Sequence, residues 1–90
     1  MNKARRKEIA EANDLISKAI SILSDARSQL EQRSADEQEY FDEMPESLQG
    51  GDKGTHAEEC VSQLDEFVST IEELESQMEN LVEEISSYEF

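Results

Sequence analysis

Apolar residues recur early in the chain at Ile9, Ala12, Ile16, Ala19, Leu23, Ala26 and Leu30, an alternation of three and four residues. On a helix of 3.6 residues per turn this spacing gathers them into one stripe, as in a coiled-coil seam. The second half repeats the pattern with larger side chains at Ala57, Cys60, Leu64, Phe67, Ile71, Leu74, Met78, Leu81, Ile85 and Tyr88. Between the two stripes, the segment from Met44 to Gly54 holds the only proline, Pro45, and all three glycines. Pro45 disfavours helical backbone at Met44, and Gly50 and Gly51 permit a sharp reversal. Thr55 followed by Glu58 reads as a capping box, with Glu58 and Glu59 near the positive end of the helix dipole. The pattern predicts one all-α domain, an antiparallel two-helix coiled-coil hairpin. Its first helix covers about 3–41, the turn about 42–54 and the second helix about 55–88.

Folding one segment back on the other tests the reading. If Leu30 meets Phe67, the same register sets Ala26 against Ile71, Leu23 against Leu74, Ala19 against Met78, Ile16 against Leu81, Ala12 against Ile85 and Ile9 against Tyr88. Small residues then mostly face large ones, which fills the space between the helices evenly. Beyond Leu30 the seam turns polar at Arg33 and Glu37 before resuming at Tyr40 and Phe41, so packing there is expected to be looser. Tyr40, Phe41, Met44 and Leu48 are expected to pack together and close the turn end.

Several large apolar residues fall outside this seam. Ile20, Val61, Val68 and Val82 flank one side of the hairpin, and Leu15 and Ile22 flank the other. A 90-residue chain buries little surface by itself, and its single cysteine and single histidine, Cys60 and His56, offer neither an internal disulfide nor a zinc-ligand spacing. Oligomerisation is the remaining supplement. The expectation is a homodimer forming a four-helix bundle, with Ile20, Val61, Val68 and Val82 at its interface.

Charge narrows the partners. The 23 acids and 8 bases give a net charge of −15, which repels phosphates and anionic lipid, so neither direct nucleic-acid binding nor membrane binding is expected. The basic start, Lys3, Arg5, Arg6 and Lys7, precedes spaced rather than continuous apolar residues, unlike a signal peptide or a membrane span. A cytoplasmic protein with an unpaired cysteine in a reducing compartment is the simplest expectation.

From Gly54 to Phe90 the chain has eleven acids and no Lys or Arg. Glu58 with Glu59, Asp65 with Glu66, Glu72 with Glu73, and Glu79 recur every seven residues on the outward side of the second helix. An ordinary coiled coil mixes signs to stabilise itself. Two copies of this helix would present roughly one charge per 2 Å, close to the ~1.7 Å of duplex DNA, although a solubilising face has the same composition. Lys3 to Lys7 are expected to neutralise part of the charge beside Glu83, Glu84 and Glu89.

Catalytic constellations are missing from the sequence. Gly50, Gly51 and Gly54 lack phosphate-loop spacing, and His56 reads as a solvent-facing spacer beside Glu58 and Glu59. Cys60 reads as a small buried apolar residue. The acids around the turn, including Asp36, Glu37, Glu39, Asp42, Glu43, Glu46 and Asp52, do not match a calcium loop. A non-enzymatic protein with no cofactor and no metal is expected.

The run Glu37, Gln38, Glu39, Tyr40, Phe41, Asp42, Glu43, Met44, Pro45, Glu46, Ser47, Leu48, Gln49 resembles a loop of small acidic helical proteins from bacteriophages and mobile elements. The resemblance implies an accessory factor in the host cytoplasm that binds and inhibits a host protein, including a defence nuclease. The acidic residues Glu58, Glu59, Asp65, Glu66, Glu72, Glu73 and Glu79 are the candidate partner-binding face for a basic protein surface, with Asp42, Glu43 and Glu46 as possible tip contacts. The alternatives are a structural dimerisation module whose acids only confer solubility, and a sponge holding an anionic nucleotide at the basic amino-terminal cluster.

Overall fold

A computed structural model describes all 90 residues. Helix α1 runs from Lys3 to Asp42, a single turn of helix, α2, from Glu46 to Gln49, and α3 from Asp52 to Ser87. The two long helices pack against each other as a hairpin rod of 69 × 14 × 14 Å.

Local chemistry sets each end. Asn2 caps α1, its side-chain oxygen accepting from the Arg5 amide at 2.8 Å, which satisfies one of the donors left free at a helix start. At the other end Pro45, which lacks an N–H, follows the last bonded residue, Met44, and its extended backbone opens α2. The amides of Leu48 and Gln49 both donate to the Pro45 carbonyl, and Gln49 Nε2 donates to the Phe41 carbonyl at 3.1 Å. The first two bonds close α2 on itself, and the Gln49 side chain ties it to α1.

The turn differs from the sequence expectation in two respects. α3 starts at Asp52, three residues before the expected capping box, and the Thr55 amide is already spent on the Gly51 carbonyl at 2.9 Å. Thr55 is thus inside the first turn, and Asp52 supplies the acid that complements the dipole. No glycine has a positive φ, so Gly50 and Gly51 do not make the reversal through left-handed backbone. The steric demand falls on Gly54, which is buried, and where a Cβ would overlap the Gln49 carbonyl.

The seam also corrects the expected register. The sheltered positions of α1 are Ile9, Asn13, Ile16, Ile20, Leu23, Arg27, Leu30, Ser34, Glu37 and Phe41, with Ala19 and Ser24 half-buried at the margins of this stripe. Those of α3 are Gly54, Ala57, Val61, Leu64, Val68, Ile71, Glu75, Met78, Val82 and Ile85, with Cys60 half-buried at the margin. Both sets keep the alternation of three and four. Cross-helix bonds lock their alignment: Asn13 Nδ2 donates to the Val82 carbonyl at 3.2 Å and to Ser86 Oγ at 3.0 Å, Arg27 Nε donates to Glu75 at 2.8 Å, and Ser34 Oγ donates to Asp65 at 2.7 Å. In this register Ile16 is level with Val82, Ile20 with Met78, and Leu30 with Val68.

Half of the expected seam is correct and half is displaced by one residue. Ile9, Ile16, Leu23 and Leu30, with Ala57, Leu64, Ile71, Met78 and Ile85, line the interface as expected. Ala12 and Ala26 are exposed instead, and Phe67, Leu74, Leu81 and Tyr88 are 49%, 43%, 43% and 66% exposed. Ile20, Val61, Val68 and Val82, expected at a dimer interface, belong to the hairpin's own seam, where Val68 is buried and the other three are half-buried. The physical reason is stripe width. An apolar stripe three positions wide meets a neighbouring helix along only one of its edges, and the edge used here lets Asn13, Arg27, Ser34 and Glu75 pair across the seam.

Candidate functional site

Once the register is set, the two flanks of the seam have opposite character. On each helix the residue that follows an Ile, Leu or Met of the shared seam lies on one side of the hairpin. The residue that precedes Asn13, Ile20, Arg27, Val68, Glu75 or Val82 lies on the other. In an antiparallel pair, equivalent flanks of the two helices share a side.

The first side is polar. It carries Ser24, Glu31, Asp65 and Ser86, which hold the side chains of Arg27, Ser34 and Asn13. It also carries Glu58, Glu72 and Glu79, and Glu59, Glu66 and Glu73 follow them onto the back of α3. The structure therefore brings all seven candidate acids onto one edge of the rod, and all seven are exposed. The rise of 1.5 Å per residue puts successive pairs about 10 Å apart. None has a basic partner, since the ion pairs are Arg27–Glu31, Arg27–Glu75 and Arg33–Asp36. Asp65 accepts from Ser34 and Glu66 from Gln63 Nε2 at 3.2 Å; both bonds leave the negative charge in place.

The expected neutralisation of this charge at the open end of the hairpin does not form. Lys3, Arg5, Arg6 and Lys7 are exposed and make no ion pair with Glu83, Glu84 or Glu89. The paired cations are Arg33, with Asp36 on its own helix, and Arg27, which alone reaches across to α3. Its bond to Glu75, followed by that to Glu31, pushes the guanidinium above its already high range, so it stays charged wherever the protein folds.

The second side is apolar. Ala12, Ala19 and Ala26 form a row on α1, widened by Leu15 and Ile22, which are 64% and 69% exposed. Phe67, Leu74, Leu81 and Tyr88 form a parallel row on α3. Both rows repeat every seven residues and neither contains a carboxylate. Periodicity alone places Ala12, Ala19, Ala26, Phe67, Leu74, Leu81 and Tyr88 in the core, because the layers align in either register, the two sharing every second seam position. The polar set Asn13, Arg27, Ser34 and Glu75 was the missed signal, because its members lie at one spacing and match across the helices.

At the turn, Asp42, Glu43 and Glu46 are exposed. Phe41 and Met44 are half-buried beneath them, whereas Tyr40 and Leu48 remain 49% and 56% exposed, so the expected closure by four apolar residues is only half realised. Tyr40, Met44, Pro45, Leu48 and Lys53 line a shallow groove there. Cys60 is half-buried beside the seam rather than in it, its Sγ 3.4 Å from His56 Nε2 one turn earlier. No three His, Cys, Asp or Glu side chains converge on a point where a metal ion would sit, and no helix is long and apolar enough to cross a membrane. Comparison with protein-family models, with curated proteins and with solved structures finds no match for this chain.

Proposed function

We propose that this chain is a non-catalytic acidic interaction protein, working as a homodimer, that presents the carboxylate edge of α3 to a basic surface on another protein. The observation that carries this reading is the exposed, unpaired set Glu58, Glu59, Asp65, Glu66, Glu72, Glu73 and Glu79 on one edge of a rigid rod. Like charges held on one long helix oppose folding, and an edge without Lys or Arg accepts that cost where interspersed charges of both signs would also keep the surface soluble. The rod form supports mimicry of a nucleic acid, because a row of carboxylates at regular rise offers a nucleic-acid-binding protein the charge spacing its lysines and arginines take from phosphates. Together with the resemblance of the turn to those of small acidic phage proteins, this favours an accessory factor in the host cytoplasm that occupies and inhibits a host nucleic-acid-binding or defence protein.

The test is capture of partners from a bacterial host extract at low and high salt, with wild-type protein and with Glu66→Gln, Glu72→Gln and Glu73→Gln combined. A basic protein retained at low salt, released at high salt and lost with the triple substitution is the expected result. Binding indifferent to both salt and substitution would refute the acidic edge as the contact. A failure to retain any protein would favour a dimerisation module whose acids serve solubility.

A further inference from the structure

Resting on the reading that the protein works as a pair of hairpins, we infer that a second copy of this chain covers the apolar side, with a two-fold axis along the rod that puts both turns at the same end. The hairpin alone is an unfinished core. Only five of 90 residues are buried and no large side chain is fully so, while Phe67, Leu74 and Leu81 stay 43–49% exposed beside a seam that shelters Asn13, Arg27 and Glu75. A side of the rod measuring 69 × 14 Å offers roughly 950 Å², against the ~800 Å² per partner of a stable complex. The same side is where a chain of charge −15 meets a copy of itself with least repulsion, seven of the eleven acids of α3 being gathered on the opposite edge.

The occupant is identified by shape. The side carries both halves of a complementary contact, an alanine furrow on α1 and a ridge of large side chains on α3, with equal spacing. In one hairpin the register sets Ala19 level with Glu79 and Ala26 with Glu72, so Leu81 and Leu74 lie about 3 Å along the rod from the alanines, a gap that narrows because side chains on both helices lean toward their own helix start. Rotation about an axis along the rod carries α1 of the second copy under α3 of the first without changing its height. Ala19 of one copy then receives Leu81 of the other, and Ala26 receives Leu74, twice over by symmetry. Rotation about an axis across the rod would stack furrow on furrow and ridge on ridge, leaving a void on one half and a clash on the other. Either pairing makes every neighbouring helix antiparallel, as in an up-and-down four-helix bundle, so the fit of furrow to ridge selects the axis.

Two measurements test it. Light scattering on the intact chain is expected to give about twice its 10.2 kDa, and Leu81→Glu, which changes a side chain already exposed in the hairpin, is expected to halve that mass. Independently, a spin label placed at Gly50→Cys in a Cys60→Ser background, where the added side chain meets nothing within 4 Å, reports the distance between turns in the unperturbed dimer. A distance well under half the 69 Å rod length is expected. Turns separated by nearly the whole rod, a dimer indifferent to Leu81→Glu, or a monomeric wild type would each overturn the inference. The first two leave the acidic-edge function standing, and loss of salt-dependent capture by an intact same-end dimer refutes that function alone.

Discussion

Gly54 and Gly50 lie four residues apart in the same reversal and face opposite demands. At Gly54 the chain of α2 lies so close that a Cβ would meet the Gln49 backbone, which cannot swing aside as a side chain tip would. Gly54→Ala is expected to destabilise the hairpin by about 1–3 kcal/mol through displacement of the turn. Gly50 has an ordinary helical backbone and open space, so Gly50→Ala is expected to raise stability by about 0.4–1 kcal/mol by restricting the unfolded chain. Urea titration of both variants separates the two effects. Asn13 presents a different balance. Its amide nitrogen donates twice across the seam, but its buried Oδ1 has no partner. A polar side chain in a seam specifies alignment at a cost in stability. Asn13→Ile is expected to stabilise by about 1 kcal/mol in the same titration.

At the scale of the helix, charge placement runs against local stability. The first turn of α1 contains Lys3 and Arg5 and no acid, and neither long helix has a base in its last turn, so the α1 macrodipole lacks its complement at both ends and that of α3, which has Asp52 at its start, lacks it at the last turn. Along α3 the exposed Glu79 and Glu83 stand four residues apart, where like charges destabilise a helix, and the exposed Glu58, Glu59, Glu66, Glu72 and Glu73 add to the same field. Added salt screens these exposed contacts. The melting temperature, followed by circular dichroism, is therefore expected to rise between low ionic strength and about 1 M sodium chloride. Partner binding through the same carboxylates is expected to weaken over that range. The opposite signs distinguish repulsion within the helix from attraction across an interface.

The whole molecule is a rod with a radius of gyration of 20.3 Å, against about 12 Å for a compact domain of this length. Such a shape leaves most side chains within reach of solvent, which is why the hairpin shelters a seam rather than a core. A second copy laid alongside would thicken the rod without lengthening it. Small-angle scattering of the dimer is therefore expected to show doubled mass with a longest dimension still near 69 Å. Dilution is expected to lower the melting temperature, because the stability of an associated bundle includes its concentration.

The sequence by itself determined the hairpin. Pro45 beside three glycines breaks the helix wherever the rest of the chain lies, and the period of three and four at Ile9, Ile16, Leu23 and Leu30 demands a helical stripe in any fold. It also determined that the acids of the second helix share an edge, since a seven-residue repeat returns to one face regardless of packing. Only the tertiary structure decided which margin of the broad apolar stripe meets the other helix. Periodicity treats Ala12 and Asn13, or Phe67 and Val68, as neighbours on the same stripe, and one-residue slippage keeps every layer aligned. Pairing across the seam broke the tie, because Asn13, Arg27 and Ser34 find partners in one register only. That choice buried the valines and left Phe67, Leu74 and Leu81 on the outside, turning the supposed core into the surface on which a second hairpin fits.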